Sequence, residues 1–145
     1  MTSGIGYCPI PRRIRSGAAS VSICPTVNFG INTRKESELH VAAMTLGELQ
    51  RGVARLPLSR RKTELTDWLE KLRIGFEGRI FPFTAETAVC WGEMCARAES
   101  DGRTLAAFDS IIAATAMEHR LVLVTRNEQD FSKVPIALIN PWHES

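Results

Sequence analysis

The sequence predicts an α/β fold of three layers, a parallel sheet covered by helices on both faces. Three observations carry that expectation. From Leu39 onward, short runs with strand character alternate with longer stretches of helical period. Leu121-Val-Leu-Val-Thr125 is an unbroken apolar run, as expected of a parallel strand covered on both sides. The stretch before it places Phe108, Ile111, Ile112, Thr115 and Ala116 at i, i+3 and i+4, the spacing of a buried helix.

Each element has its own local cause. Leu39, Val41 and Ala43 alternate as a short strand. Thr45 opens a helix to about Leu56, and Ser59 opens a second to about Phe76 with Leu65, Trp68, Leu69 and Leu72 on one face. Arg79–Phe83 reads as a short strand. Thr84 caps a helix to about Ser100 that carries Ala88, Trp91, Met94 and Cys95, and Asp101-Gly102 turns the chain. The buried helix ends near His119, the apolar strand follows, and Ile136–Ile139 is the last strand before Asn140-Pro141-Trp142.

The chain of 145 residues has the size of one domain. At 44% apolar and 23% charged it is composed like a globular protein. No stretch approaches the roughly 18 apolar residues of a membrane span. The net charge of +2 hides an asymmetry. Arg12, Arg13, Arg15, Arg34 and Lys35 are the basic residues of the first 35, which hold no acid, so the remainder has 13 basic against 16 acidic side chains. Any nucleic acid must therefore be met by local patches and metal ions, not by an overall positive field.

Residues 1–38 form an atypical segment, rich in Gly, Ser, Pro and Arg and without sustained period, and a loosely attached tail is expected there. Arg12-Arg13 before Ala18, Ala19 and Val21 faintly suggests a twin-arginine signal, but the apolar stretch is short and cut by Pro25. Cys8, Cys24, Cys90 and Cys95 form no C-x-x-C pair, which fits a reducing cytoplasmic compartment. His40, His119 and His143 have no metal-like spacing, and His119 suits a contact with a helix C-terminus.

Three acids fall where α/β folds place their sites, beyond the carboxyl ends of the strands. Glu48 follows the first strand, Asp109 opens the most apolar helix, and Asp130 follows the strand ending at Thr125. Each has a plain structural role open to it. Thr45-Leu-Gly-Glu48 matches a capping box, Asp109 suits a helix N-terminus, and Asp130 suits a turn. Together they suggest more, because carboxylates gathered on one rim repel and a divalent cation relieves the repulsion. Such sites suit phosphodiester hydrolysis. Arg60, Arg61 and Lys62, near Arg51 and Arg55, and Arg126 after the late strand are candidate contacts for phosphates. A solvated helix face is the commoner meaning of such a run.

Four blocks in order then resemble one family. Thr45-Leu-Gly-Glu48-Leu-Gln-Arg-Gly, Asp109-Ser-Ile-Ile-Ala-Ala-Thr-Ala, Leu123-Val-Thr-Arg-Asn127-Glu-Gln-Asp130-Phe and Asn140-Pro-Trp are similar to successive blocks of PIN-domain toxins of the VapC/FitB type. The resemblance covers residues 39–145. It implies a PIN-like fold and a Mg²⁺- or Mn²⁺-dependent ribonuclease acting on RNA, commonly tRNA or rRNA. It also implies a cognate antitoxin that blocks the site, and a homodimer. By position Glu48 and Asp109 match two of the family's acids; Asp130 or Asn127 takes the late place, Asn127 as a neutral metal or water contact.

One departure stands out. The family opens with an apolar strand ending in Asp-Thr-Asn, which would fall near Pro11, yet the first Asp of this chain is Asp67. The expectation is a sheet without its first, central strand, low stability from the exposed backbone groups, and a site one carboxylate short. An upstream frameshift would account for it, since GAT-ACC (Asp-Thr) read one base late gives Ile-Pro, and Ile10-Pro11 stands at that offset. Two functions follow. One is a metal-dependent endoribonuclease toxin; the other is a catalytically inactive or frameshifted remnant that at most binds an antitoxin helix or a sister subunit.

Overall fold

The structure, a computed structural model, describes residues 39–125 and 128–140 with their side chains, and residues 22–25 as backbone alone. The elements run β1 (Ser22–Pro25), β2 (His40–Ala42), α1 (Ala43–Ala54), α2 (Arg60–Gly75), β3 (Ile80–Phe81), α3 (Ala85–Ser100), α4 (Ala107–Glu118), β4 (Leu121–Val124), α5 (Glu128–Phe131) and β5 (Leu138–Ile139). The sheet has the order β3-β2-β1-β4-β5. The α/β architecture is the one expected from the alternation of strands and helices.

The centre of the sheet differs from expectation. It is not empty: β1 fills it, and it runs antiparallel to both neighbours, pairing Ser22 with Val41 on one side and Ser22 to Pro25 with Val124 to Leu121 on the other. The outer pairs β2·β3 and β4·β5 are parallel, so the sheet is mixed, not wholly parallel. An antiparallel neighbour needs no crossover helix, whereas a parallel one needs a dozen or more connecting residues. Beyond these four residues, the expectation of a loosely attached segment at 1–38 lies outside the described residues.

The main core gathers around α4. Ile112, Ala113, Ala114 and Ala116 have no exposed surface, and they meet Leu123 of β4, Phe131 of α5, Met94 of α3 and Ala42 of β2. A run of alanines lets the helix approach the sheet closely on more than one side. The α3 and α4 helices are also tied by polar contacts. Thr84 and Thr87 form a reciprocal capping box at the start of α3, and the buried Thr87 hydroxyl donates onward to Glu118. Trp91 Nε1 donates to Ser110 Oγ at 2.9 Å. A second, smaller core of Leu49, Val53, Leu65 and Leu69 joins α1 to α2.

Two ends differ from the sequence reading. Helix α1 begins at Ala43, directly from β2, with Ala42 as an N-cap that has no side-chain hydrogen bond. Thr45 is therefore inside the helix, its hydroxyl buried and without a hydrogen-bond partner among the described residues, so Thr45–Glu48 is not a capping box. His119 caps α4, and Arg120 beyond it takes φ 52°, a left-handed position usually given to glycine. Ring stacking joins His40 and His119 to Phe81, with centroids at 4.8 and 4.0 Å.

Because Ile112 is fully buried in the middle of this core, Ile112→Ala should destabilise the protein by about 2–5 kcal/mol. Urea denaturation followed by circular dichroism measures it; a loss below the range for surface positions would show that the core is not organised about α4.

Candidate active site

Topology brings the three acids to one edge. β2 runs without a loop into α1, so the start of α1 stands at the carboxyl edge of the sheet. α4 runs back against β4, which puts its first turn, with Asp109, at the same edge. α5 leaves the carboxyl end of β4 and carries Asp130, while its neighbour Phe131 is fully buried and pins the short helix to the core. Open α/β sheets build their sites at this edge.

The electrostatics show which acids are neighbours. Burial pushes the Asp109 carboxyl above its ordinary value, and the charge of Asp130 pushes it further. Glu48 is likewise raised, first by burial and then by the charge of Asp109, with Arg51 pulling the other way. The charge of Asp109 thus acts on Glu48, and that of Asp130 on Asp109. Among the described residues no three acidic, histidine or cysteine side chains form a group that could hold a metal ion. Charge acts over several ångströms in a partly buried site, while a ligand bond needs about 2.0–2.6 Å. Asp130, exposed on its one-turn helix, adds to the charge that raises Asp109.

The donor set still fits a hard divalent cation. Both inner side chains are carboxylates, they are partly desolvated, and each is made harder to ionise by its neighbour. Mg²⁺ in particular is commonly held by one or two carboxylates with water and substrate phosphate completing its shell, without an all-protein cage.

The other expected site residues are spread more widely. Asn127 and Arg126 lie outside the described residues. Arg60 pairs with Glu64 at 2.8 Å on the exposed face of α2. The Lys62 ammonium donates to the carbonyls of Ala54 and Leu56 at 3.1 and 3.0 Å, closing the end of α1. Arg61 is exposed. The three stand at the far end of α1 from its start. One rim residue was missed by sequence reasoning. Phe108 was taken for core, yet it is 41% exposed beside Asp109, and the Arg51 guanidinium lies 6.0 Å from its ring centroid.

An α/β domain with neighbouring carboxylates at the carboxyl edge of its sheet is the class of protein that fold and site define. A PIN domain model matches residues 30–137 of this chain. The chain belongs to the PIN-domain family, in the branch of the VapC and FitB toxins. Toxin FitB of Neisseria gonorrhoeae is 36% identical over 108 residues, covering 74% of this chain and 78% of FitB. VapC ribonuclease Y4jK of Sinorhizobium fredii is 30% identical over 113 residues, 77% of this chain and 81% of that protein. Among solved structures, FitAB bound to an IR36 DNA fragment matches with a TM-score of 0.72 at 31% identity, over 79% of this chain and 80% of the other. FitAcB from Neisseria gonorrhoeae gives 0.71 at 34%, over 77% and 81%.

A raised carboxyl pKa in the folded state makes a definite prediction for stability. The folded protein holds the Asp109 proton to higher pH than the unfolded chain does. That contribution is fully present below the unfolded carboxylate pKa and is lost as pH rises through the raised folded value. In EDTA, Asp109→Asn should therefore be more stable than wild type at pH 7, with the gap closing as the pH falls below about 4. Thermal melts across that range check it. A mutant less stable than wild type at pH 7 would mean that Asp109 is satisfied by a partner, not strained by burial and charge.

Proposed function

We propose that this protein is a Mg²⁺- or Mn²⁺-dependent endoribonuclease toxin of a toxin–antitoxin module. The proposal is carried by Glu48 and Asp109, two partly buried carboxylates at the carboxyl edge of the sheet, near enough that the charge of Asp109 raises Glu48. Such repulsion persists in a fold when a cation is meant to relieve it. The similarity to VapC ribonucleases and to the FitB toxin supports the same reading.

Glu48 and Asp109 would hold the ion, with Asp130 and Asn127 reaching it directly or through water. When bound, the ion supplies the positive charge that polarises the phosphate and lowers the pKa of an attacking water. The rest falls to the chain itself. Asp109 and Glu48 must both be ionised, which Arg51 favours at Glu48. Arg61 is free to meet backbone phosphates, and Arg60, Lys62 and Arg126 complete the basic set, with Arg60 and Lys62 first exchanging protein partners. The RNA is a tRNA or rRNA, the toxin a cytoplasmic homodimer, and a cognate antitoxin blocks the site. No helix of the described residues is long and apolar enough to cross a membrane.

One observation favours a second reading. The strand that fills the centre of the sheet, Ser22-Ile-Cys-Pro25, brings no acid, and by register it presents Ser22 at the edge where Glu48 and Asp109 stand. A site lacking a central carboxylate holds its ion with less charge. The alternative is thus an inactive or frameshifted remnant that binds an antitoxin helix or a sister subunit.

Cleavage of a labelled tRNA in Mn²⁺ separates the two. The nuclease reading expects slow, EDTA-sensitive cleavage, reduced by at least about 10–100-fold in Glu48→Gln and Asp109→Asn, the range known for lesser partners of a metal. A chain rebuilt with an opening strand ending in Asp-Thr-Asn should cut faster. Cleavage that ignores both EDTA and Asp109→Asn contradicts the metal-nuclease reading; silence in wild type with recovery in the rebuilt chain establishes the remnant.

A further inference from the structure

We infer that Phe108, with Arg51, forms a stacking platform for an unpaired base of the RNA at the rim of the acidic site. The inference rests on the nuclease reading above and deepens it, since it makes single-stranded, base-bearing RNA the substrate of this edge.

Phe108 is the second residue of α4, and like Ala107 before it, it lies on the exposed start of the helix. Ser110 and Ile112 are buried, Asp109 is half-buried in the site, and Phe108 remains 41% exposed. The exposed part of the phenyl ring gains nothing from burial in the fold. Among the described residues, the guanidinium carbon of Arg51 lies 6.0 Å from its centroid, at the outer limit of a cation–π interaction. Arg51 lies one turn beyond Glu48 on the same side of α1, and its charge is felt there. Glu48 and Arg51 thus share one side of α1, and Phe108 and Asp109 are successive residues in the first turn of α4.

That arrangement matches the chemistry of a single-stranded nucleotide. Its phosphate is drawn to the cation, and its base has a flat apolar face that stacks on an aromatic ring irrespective of sequence. Arginine offers a planar surface to bases as well as charge to phosphate, so it serves either face of the nucleotide. A base paired in a duplex cannot reach such a ring without leaving its stack. Loops, bulges and ends of structured RNA are the fitting targets, and the exposed ring sets the register of the strand against the carboxylates.

The test is binding of short RNA oligonucleotides to the full chain in Ca²⁺, read by fluorescence anisotropy. One oligonucleotide is unmodified; the other carries an abasic sugar at a single internal position, scanned along the strand. Wild type should bind the unmodified RNA about tenfold or more tightly than the abasic strand at one position. Phe108→Ala should lose that discrimination while keeping the wild-type melting temperature, and Phe108→Trp should restore it with quenching of the new tryptophan on binding. Arg51→Ala should weaken both strands together and flatten the salt dependence. If wild type and Phe108→Ala discriminate equally at every position, the platform is wrong while the nuclease reading stands. If no RNA binds in Ca²⁺, and none is cut in Mn²⁺, the nuclease reading fails and takes this inference with it.

Discussion

The packing of α4 between the sheet and α3 decides where every charged group at the carboxyl edge can stand. Four small or branched residues of that helix have no exposed surface, so its first turn cannot shift without disturbing Leu123, Phe131 and Met94 together. Asp109 rides on that turn. Its discomfort is therefore imposed: the core fixes the helix, the helix fixes the carboxylate, and burial with the charge of Asp130 raises its pKa. Glu48 is brought against it by another rigid connection, the passage of β2 into α1 without a loop. A fold that holds two acids together by its core, not by hydrogen bonds between them, stores repulsion that an external cation or a proton can release.

The sheet shows how such a site tolerates variation at its centre. β1 pairs with β2 and β4, satisfying backbone groups that would otherwise be bare, though it runs against its neighbours and carries no acid. Strand geometry at the centre and acid supply at the edge are thereby separable. The helices that bear Glu48 and Asp109 are fixed by buried contacts that run through α4 and β4.

Much of this was legible in the sequence where a single side chain makes the local decision. Ser59 and Thr84 begin α2 and α3 as expected, each accepting a hydrogen bond from the backbone three residues on. The apolar run at Leu121 and the period of Ile112 and Ala116 announce the core. Glu48, Asp109 and Asp130 were brought to one edge by the rule for strand ends. Other features were decided by tertiary context. α1 starts two residues before Thr45 because β2 delivers the chain already shaped for it. Ser22–Pro25 has no period to mark it as a strand, and its place is set by the partners on either side. Phe108 matched the apolar stripe by spacing, but α4 meets α1 at its first turn with a charged neighbour, Arg51, not an apolar one. Lys62, a candidate phosphate contact, donates here to the carbonyls that end α1, a partner that its spacing alone does not reveal.

Glu48 and Asp109 are proposed to take one divalent cation, and calorimetric titration of Mn²⁺ into the metal-free protein reads that out, run on wild type, Glu48→Gln and Asp109→Asn at pH 5.5 and pH 7.5. Wild type should bind Mn²⁺ saturably and more weakly at the lower pH, since protons compete more strongly for carboxyls whose pKa is raised, and both variants should lose that binding. Equal Mn²⁺ affinity in wild type and both variants, unchanged by pH, would contradict it.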